Sequence, residues 1–335
     1  MRNRWPFKQA LLAIALCLTF MGDDVFTGVC CAQSQTAQGA EGGAKINIEE
    51  LSQRPFEPLD VYMSTDQLEG DIKSCMELLA RYNEGKSPRE YGILHIRIGF
   101  SYFVFEAAER DKNVSEAAQH FSVAAKVCGE KNLVKEYHEA EVGIGLTLIE
   151  LTEGDHITNL HEAVKTLDEE AKFFTKESNP LAYAIVNNGL GYAYAYLYNA
   201  DGQKKENLEA AERYFNNVLS MTSKKEFPVQ YARAQIGLGM LYLDSFGASG
   251  DKLMMEKALS MLSNAREVFN ESFFPTFYTK TFFLTALAYL REGDYGKAKE
   301  FMEKTMKIAD RTKDPRLEIY MNFFYSLEIS KGLLE

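Results

Sequence analysis

Tryptophan, histidine and cysteine are all scarce in this 335-residue chain, with one Trp, five His and five Cys. Cys17, Cys30 and Cys31 lie within the first 32 residues, so beyond them only Cys75 and Cys128 remain. Two cysteines cannot build a disulfide scaffold. If Cys75 lies in a degenerate leading repeat, the two sit about 10 Å apart along neighbouring helices, beyond disulfide reach. They read as small buried hydrophobes. Of the histidines only His156 and His161 are close, five apart across a loop and a helix start. That spacing is wrong for a one-face i, i+4 metal pair. No nucleophile motif or carboxylate pair stands out from ordinary helix surface. We therefore expect no catalytic residues, no metal and no cofactor. Basic charge is also in deficit: 37 Lys and Arg face 48 Asp and Glu, a net charge of −11. Such a chain has no electrostatic footprint for nucleic acid or for anionic membrane surfaces.

The one long apolar run, Ala10 to Met21, is short of the ~20 residues that span a bilayer. It follows Arg2, Arg4 and Lys8 and precedes a segment ending Cys30-Cys31-Ala32. Basic, apolar and small-residue zones in that order are the layout of a secretory signal peptide, with cleavage after Ala32. An uncleaved anchor, or lipidation at Cys30, are the alternatives, although Val29 is a poor neighbour for a lipidated cysteine. A membrane is thus expected only through this N-terminus, and the location is periplasmic or secreted. Cleavage would leave 34 basic against 46 acidic residues, a net charge of −12. Residues 33–60, rich in Gln, Ala, Gly, Glu and Pro, read as a flexible linker.

From there on a single ruler repeats. Tyr91, Tyr137, Tyr183, Tyr231 and Tyr278 are spaced by 46, 46, 48 and 47 residues. Eight positions after each stands a small residue, Gly99, Gly145, Gly191, Gly239 or Ala286. An alanine follows on the next segment, at Ala117, Ala163, Ala211, Ala258 and Ala298. This is an internal repeat, and it predicts a helical array. Each unit opens three residues before its tyrosine at Pro88, Pro180, Pro228 or Pro275, with Val134 the departure. Proline suits a helix start because its missing N–H had no partner there. Ser87 and Asn179 precede two of these prolines in the capping position. First helices are expected over 88–109, 134–151, 180–198, 228–245 and 275–291.

A second helix follows each breaker-rich loop. It carries its alanine four residues before a bulky apolar one: Ala117/Phe121, Ala163/Leu167, Ala211/Phe215, Ala258/Leu262 and Ala298/Met302. Spacing of four puts the pair on one face, so the small residue admits the neighbouring helix and the large one fills the gap beside it. The pairs Gly143/Gly145, Gly189/Gly191 and Gly237/Gly239 superficially suggest phosphate loops. Such a loop follows a strand and opens a helix, whereas these lie within helices, where close backbone approach is their use.

In these positions the chain resembles the tetratricopeptide repeat (TPR). Ala286, Tyr289, Gly293-Asp294-Tyr295 and Ala298 reproduce its small, aromatic, Gly-Asp-Tyr and alanine slots. Units one to four carry the same slots, with Tyr102, Leu148, Tyr194 and Tyr242 at the inner one, but are longer, similar to the extended arrays associated with CHAT proteases. The first-helix tryptophan of the family is absent throughout. The resemblance implies an all-α fold: a right-handed superhelical TPR solenoid of antiparallel helix pairs over 61–335. Its five repeats would run 88–133, 134–179, 180–227, 228–274 and 275–314, with capping helices over 65–83 and 315–331.

The resemblance also implies a groove lined by first helices. Its slots hold mostly apolar and aromatic residues, which serve equally as core. The candidates for partner contact are Asn188, Tyr192, Tyr196, Met240, Asp244, Phe100 and Phe103. No Lys or Arg cluster resembles the carboxylate clamp of chaperone-binding members. The function expected is a non-enzymatic scaffold, exported from the cytoplasm, that binds a partner protein or peptide. A structural subunit of an envelope assembly, of outer-membrane biogenesis or pilus type, and a regulatory partner of a CHAT-type protease are the alternatives.

Overall fold

The computed structural model describes residues 47–332 apart from 61, 106–109, 223, 273 and 315. The expected leader, 1–32, and the linker residues 33–46 lie outside the described residues. Two compact units are present, one ending at Gly237 and the other beginning at Leu238. Every described element is a helix and no strand occurs among the described residues.

In the first unit the helices are α1 (Ile48–Gln53), α2 (Glu57–Asp60), α3 (Thr65–Leu79), α4 (Pro88–Val104), α5 (Arg110–Glu130), α6 (Val134–Glu150), α7 (His156–Phe173), α8 (Pro180–Ala200) and α9 (Lys205–Met221). Helix α10 (Pro228–Ser249) contains the boundary between the units. The second unit continues with α11 (Lys252–Ala265), α12 (Pro275–Glu292), α13 (Tyr295–Thr312) and α14 (Leu317–Gly332). The expected all-α class of paired helices is what is observed.

First helices begin at the four prolines and at Val134, as their spacing requires. Asn179 caps α8 by accepting from the Ala182 amide at 3.1 Å. Ser87 makes no such bond to α4. The best N-terminal cap lies elsewhere: Ser64 and Gln67 form a reciprocal capping box that starts α3. Gly293 ends α12 with φ 88°, a left-handed turn that suits glycine. Asp294 then caps α13 through the Lys297 amide at 3.0 Å.

Residues 47–60 belong to the segment read as a flexible linker, yet they form α1 and α2 and bury Phe56 and Leu59. The reason is local: Ile48, Leu51, Phe56 and Leu59 supply apolar contacts that the surrounding polar composition conceals. Cys75 and Cys128 are both free and buried. Burial pushes each thiol up to about 12, so neither is a reactive thiolate.

Helix direction within a unit follows from paired contacts. Gly92 faces Cys128 and Gly99 faces Phe121, so ascending α4 meets descending α5. In the first four repeats the bulky second-helix residue, Phe121, Leu167, Phe215 or Leu262, enters a notch made by glycine. A Cβ added to Gly99 would stand 2.7 Å from the Phe121 ring, and one on Gly143 2.4 Å from the same ring. Phe215 is held in the same way between Gly191 and Gly237. One ring therefore joins three helices: its own, its partner, and the first helix of the next repeat. Helix α4 also packs on α6, and α6 on α8, so first helices form a continuous row within the first unit. These helices are buried almost all round, whereas α9 buries only one face, through Ala210, Ala211, Phe215 and Val218. Among the described residues no helix is long and apolar enough to cross a membrane.

The notch can be tested against propensity. Gly143→Ala is expected to destabilise by about 1–3 kcal/mol, because overpacking outweighs a helix-propensity gain of roughly 1 kcal/mol. Gly70→Ala, on an exposed face of α3 with nothing within 4 Å, keeps that gain and should melt higher than wild type. Circular dichroism melts of both variants decide the point. A Gly143→Ala chain as stable as wild type would refute the notch.

Candidate functional site

In the first unit the row of first helices carries a set of polar groups that their apolar sequence would not suggest. Arg97, within Ile96-Arg97-Ile98, is only 5% exposed. Its guanidinium donates to both carboxylate oxygens of Asp71, at 2.8 and 3.2 Å, and to Glu57 Oε2 at 2.9 Å. Ser101 Oγ donates to the same Asp71 at 2.6 Å. The fork of an arginine satisfies two carboxylates at once, which an ammonium could not do with the same geometry.

Further along the row, Gln230 and Arg233 open α10, both with 0% exposure. The Asn188 amide donates to Gln230 Oε1 and to its backbone carbonyl, each at 3.1 Å. With Oε1 so engaged, the Gln230 amide nitrogen donates to the Leu59 carbonyl at 3.0 Å. Tyr192 donates to the Arg233 carbonyl at 2.7 Å. It also sets its ring edge-on to Phe215, 5.0 Å between centroids.

The segment 48–60 lies against these groups. Phe56 meets Phe100 edge-on at 5.4 Å and Phe174 at 5.8 Å. Arg89 links Glu49, at 3.2 Å, to Glu136, at 2.7 Å. Lys135 Nζ donates to the Ser52 carbonyl at 2.6 Å. Leu59 is fully buried. Oδ1 of Asp60 is out of solvent with no hydrogen-bond partner. Burial pushes the Asp60 carboxyl up to about 6, against the opposing pull of the Gln230 hydrogen bond and the Arg233 charge.

The residues picked from sequence divide between the two units. Phe100, Phe103, Asn188, Tyr192 and Tyr196 are buried in the first. Phe100 touches the 48–60 segment directly, and Asn188 acts on it through Gln230. Phe103 lies under the Arg110 guanidinium, 5.2 Å from its centroid. Tyr196 faces His156, 6.3 Å between rings. Met240 and Asp244 belong to the second unit and are partly buried. Asp244 accepts from Arg291 at 3.0 and 3.1 Å.

Sequence reasoning missed Arg97, Gln230, Arg233, Glu57 and Asp60. The available signal was a lone arginine in an apolar run, Ile93 to Phe100, which calls for a buried carboxylate. Reasoning from spacing also missed that His95 and His120 come together, 2.9 Å between their Nδ1 atoms. Burial first, and then the neighbouring His120, pull His95 down to about 4, so the pair is neutral at physiological pH. Among the described residues no three His, Cys, Asp or Glu side chains group as they would around a metal ion.

Asp60 gives a pH test. Between its ordinary value of 3.8 and about 6, the folded state keeps a proton that the unfolded chain has lost. Its stabilising contribution is complete below 3.8 and is lost as pH rises through 6. Asp60→Asn stays neutral throughout. Its melting temperature relative to wild type should therefore rise between about pH 4 and pH 7. A difference independent of pH would show that Asp60 is solvated.

No family model matches the chain, and no curated protein matches it. Among solved structures it is similar to the crystal structure of BtubC (BKLC) from P. vanneervenii, with 16% identity, a TM-score of 0.40, and coverage of 74% of this chain and 92% of that one. It is also similar to a TPR repeats protein from Bacteroides fragilis NCTC 9343, with 17% identity, a TM-score of 0.23, and coverage of 84% of this chain and 98% of that one. Likenesses this loose leave the chain's own geometry to carry its functional reading.

Proposed function

We propose that this protein is a non-enzymatic interaction scaffold of the TPR kind, exported by its N-terminal leader to a periplasmic or extracellular location. It binds a partner protein or peptide on the face built by its first helices. The observation that carries this reading is that a peptide segment already lies on that face. Residues 56–60 place an aromatic ring against Phe100, and a backbone carbonyl on the Gln230 amide. Main-chain hydrogen bonding combined with side-chain burial is one way a groove holds a peptide. The acidic balance of the chain, −11 overall, favours a protein partner over nucleic acid.

Affinity capture of the tagged chain from its native cells, with compartment fractionation, tests both halves of the proposal. One protein should co-purify in fixed ratio, and the recovered chain should begin at Gln33 in the exported fraction. A chain recovered alone from every fraction would remove the scaffold reading. Retention of Met1 in the cytoplasm would remove export.

A further inference from the structure

We propose that residues 48–60 are a built-in, displaceable ligand. The face they cover takes a partner peptide of the same chemistry: an aromatic residue, a carboxylate next to it, and an aliphatic residue three positions after the aromatic. This rests on the scaffold reading above and specifies its site. The pattern is that of Phe56, Glu57 and Leu59, and each member has a counterpart on the face. Phe100 and Phe174 receive the ring. Gln230, held by Asn188, receives the carbonyl at the aliphatic position. Arg97 receives the carboxylate of Glu57, at 2.9 Å.

Three features make this segment an occupant and not merely the first layer of the array. First, it lies outside the repeat. The register that places every other helix starts at Pro88, with α3 before it as a cap, and α1 and α2 share none of the small-residue slots.

Second, α1 has six residues and α2 four, far below the ~12 at which an isolated helix becomes even marginal in water. Neither can hold its shape without the face it covers, so the segment can come off as a unit while α4, α6 and α8 keep their glycine notches.

Third, it runs across the row of first helices. It touches Arg89 and Arg97 on α4, Lys135 on α6 and Gln230 on α10. A helix hairpin of the array packs on its neighbours in the chain; a bound peptide crosses several repeats. The contact from Leu59 to Gln230 spans 171 residues.

As a tethered ligand the segment competes at an effective concentration on the order of millimolar. A free peptide therefore binds wild type with an affinity lowered by the fraction of time the face is open.

The test uses the full chain and a fluorescent synthetic peptide with the sequence of residues 48–62, followed by anisotropy. Phe56→Ala/Leu59→Ala in the chain loosens the internal segment. This variant should bind the peptide at least tenfold more tightly than wild type, and should not bind the same peptide carrying both alanines. A variant that melts cooperatively yet binds neither peptide overturns the proposal. So does one that dimerises in analytical ultracentrifugation without binding peptide, since the occupant would then be a second copy. If the variant does not melt cooperatively, hydrogen exchange on wild type decides. Exchange of 48–60 as one unit, ahead of α4 and α8, supports displacement; exchange only with global unfolding overturns it. Failure here is separable from failure of the scaffold reading. A stoichiometric partner recovered equally by wild type and variant, and not competed by the peptide, would keep the scaffold and remove this face.

Discussion

A phenylalanine ring lodged between glycines of two successive first helices is the contact on which the rest of the array depends. Phe121 fills the space between Gly99 and Gly143, and Phe215 that between Gly191 and Gly237. Each mid-helix glycine costs about 1 kcal/mol against alanine, while losing a buried phenylalanine side chain costs about 3–5 kcal/mol. The exchange favours the notch, and only when the next first helix is present to close it. A single hairpin would leave one side of its ring exposed. Stability is therefore shared between units, as nearest-neighbour coupling in repeat proteins requires.

Close approach on one side fixes what happens on the others. First helices pressed against their second helices and against one another have little surface left, and that remnant is where the polar side chains collect. Arg97, Ser101, Asn188, Gln230 and Arg233 are all buried, and burial raises the cost of leaving any of them without a partner. Asp71 answers Arg97 and Ser101 from within the array. The amide nitrogen of Gln230 is answered from outside it, by the Leu59 carbonyl. Whatever covers this face must bring matching acceptors, because an apolar strip alone would leave those donors dry.

The fold was readable because its determinants are local and periodic. The Tyr–small–Ala ruler, the prolines at helix starts and the i, i+4 pairs of alanine with a bulky residue each act within a few turns, and repetition multiplies the signal. Asn179 as a cap was equally local, whereas Ser87 had the right residue type in a backbone conformation that makes no cap bond. The candidate site was readable only in outline. Family slots pointed to Phe100 and Asn188, which do lie at or behind the face, but slot position carries no information on burial. Residues 48–60 could not be foreseen as its cover. Their apolar residues are few, their surroundings are rich in Gln, Gly and Pro, and no periodicity links Leu59 to Gln230.

That same non-periodicity bears on specificity. A contact inside the repeat is reinforced by its copies, so losing one leaves the register intact. The contacts of Phe56, Glu57, Leu59 and Asp60 have no copies, and full burial of Phe56 and Leu59 contributes about 1.5–3 kcal/mol each. Their sum is small beside the cohesion of the notched row. On the proposed reading a competing peptide must supply ring, carboxylate and aliphatic side chain together, as Phe56, Glu57 and Leu59 do. The array provides rigidity by repetition, and on the proposed reading the unrepeated segment sets the threshold that a ligand of this face passes.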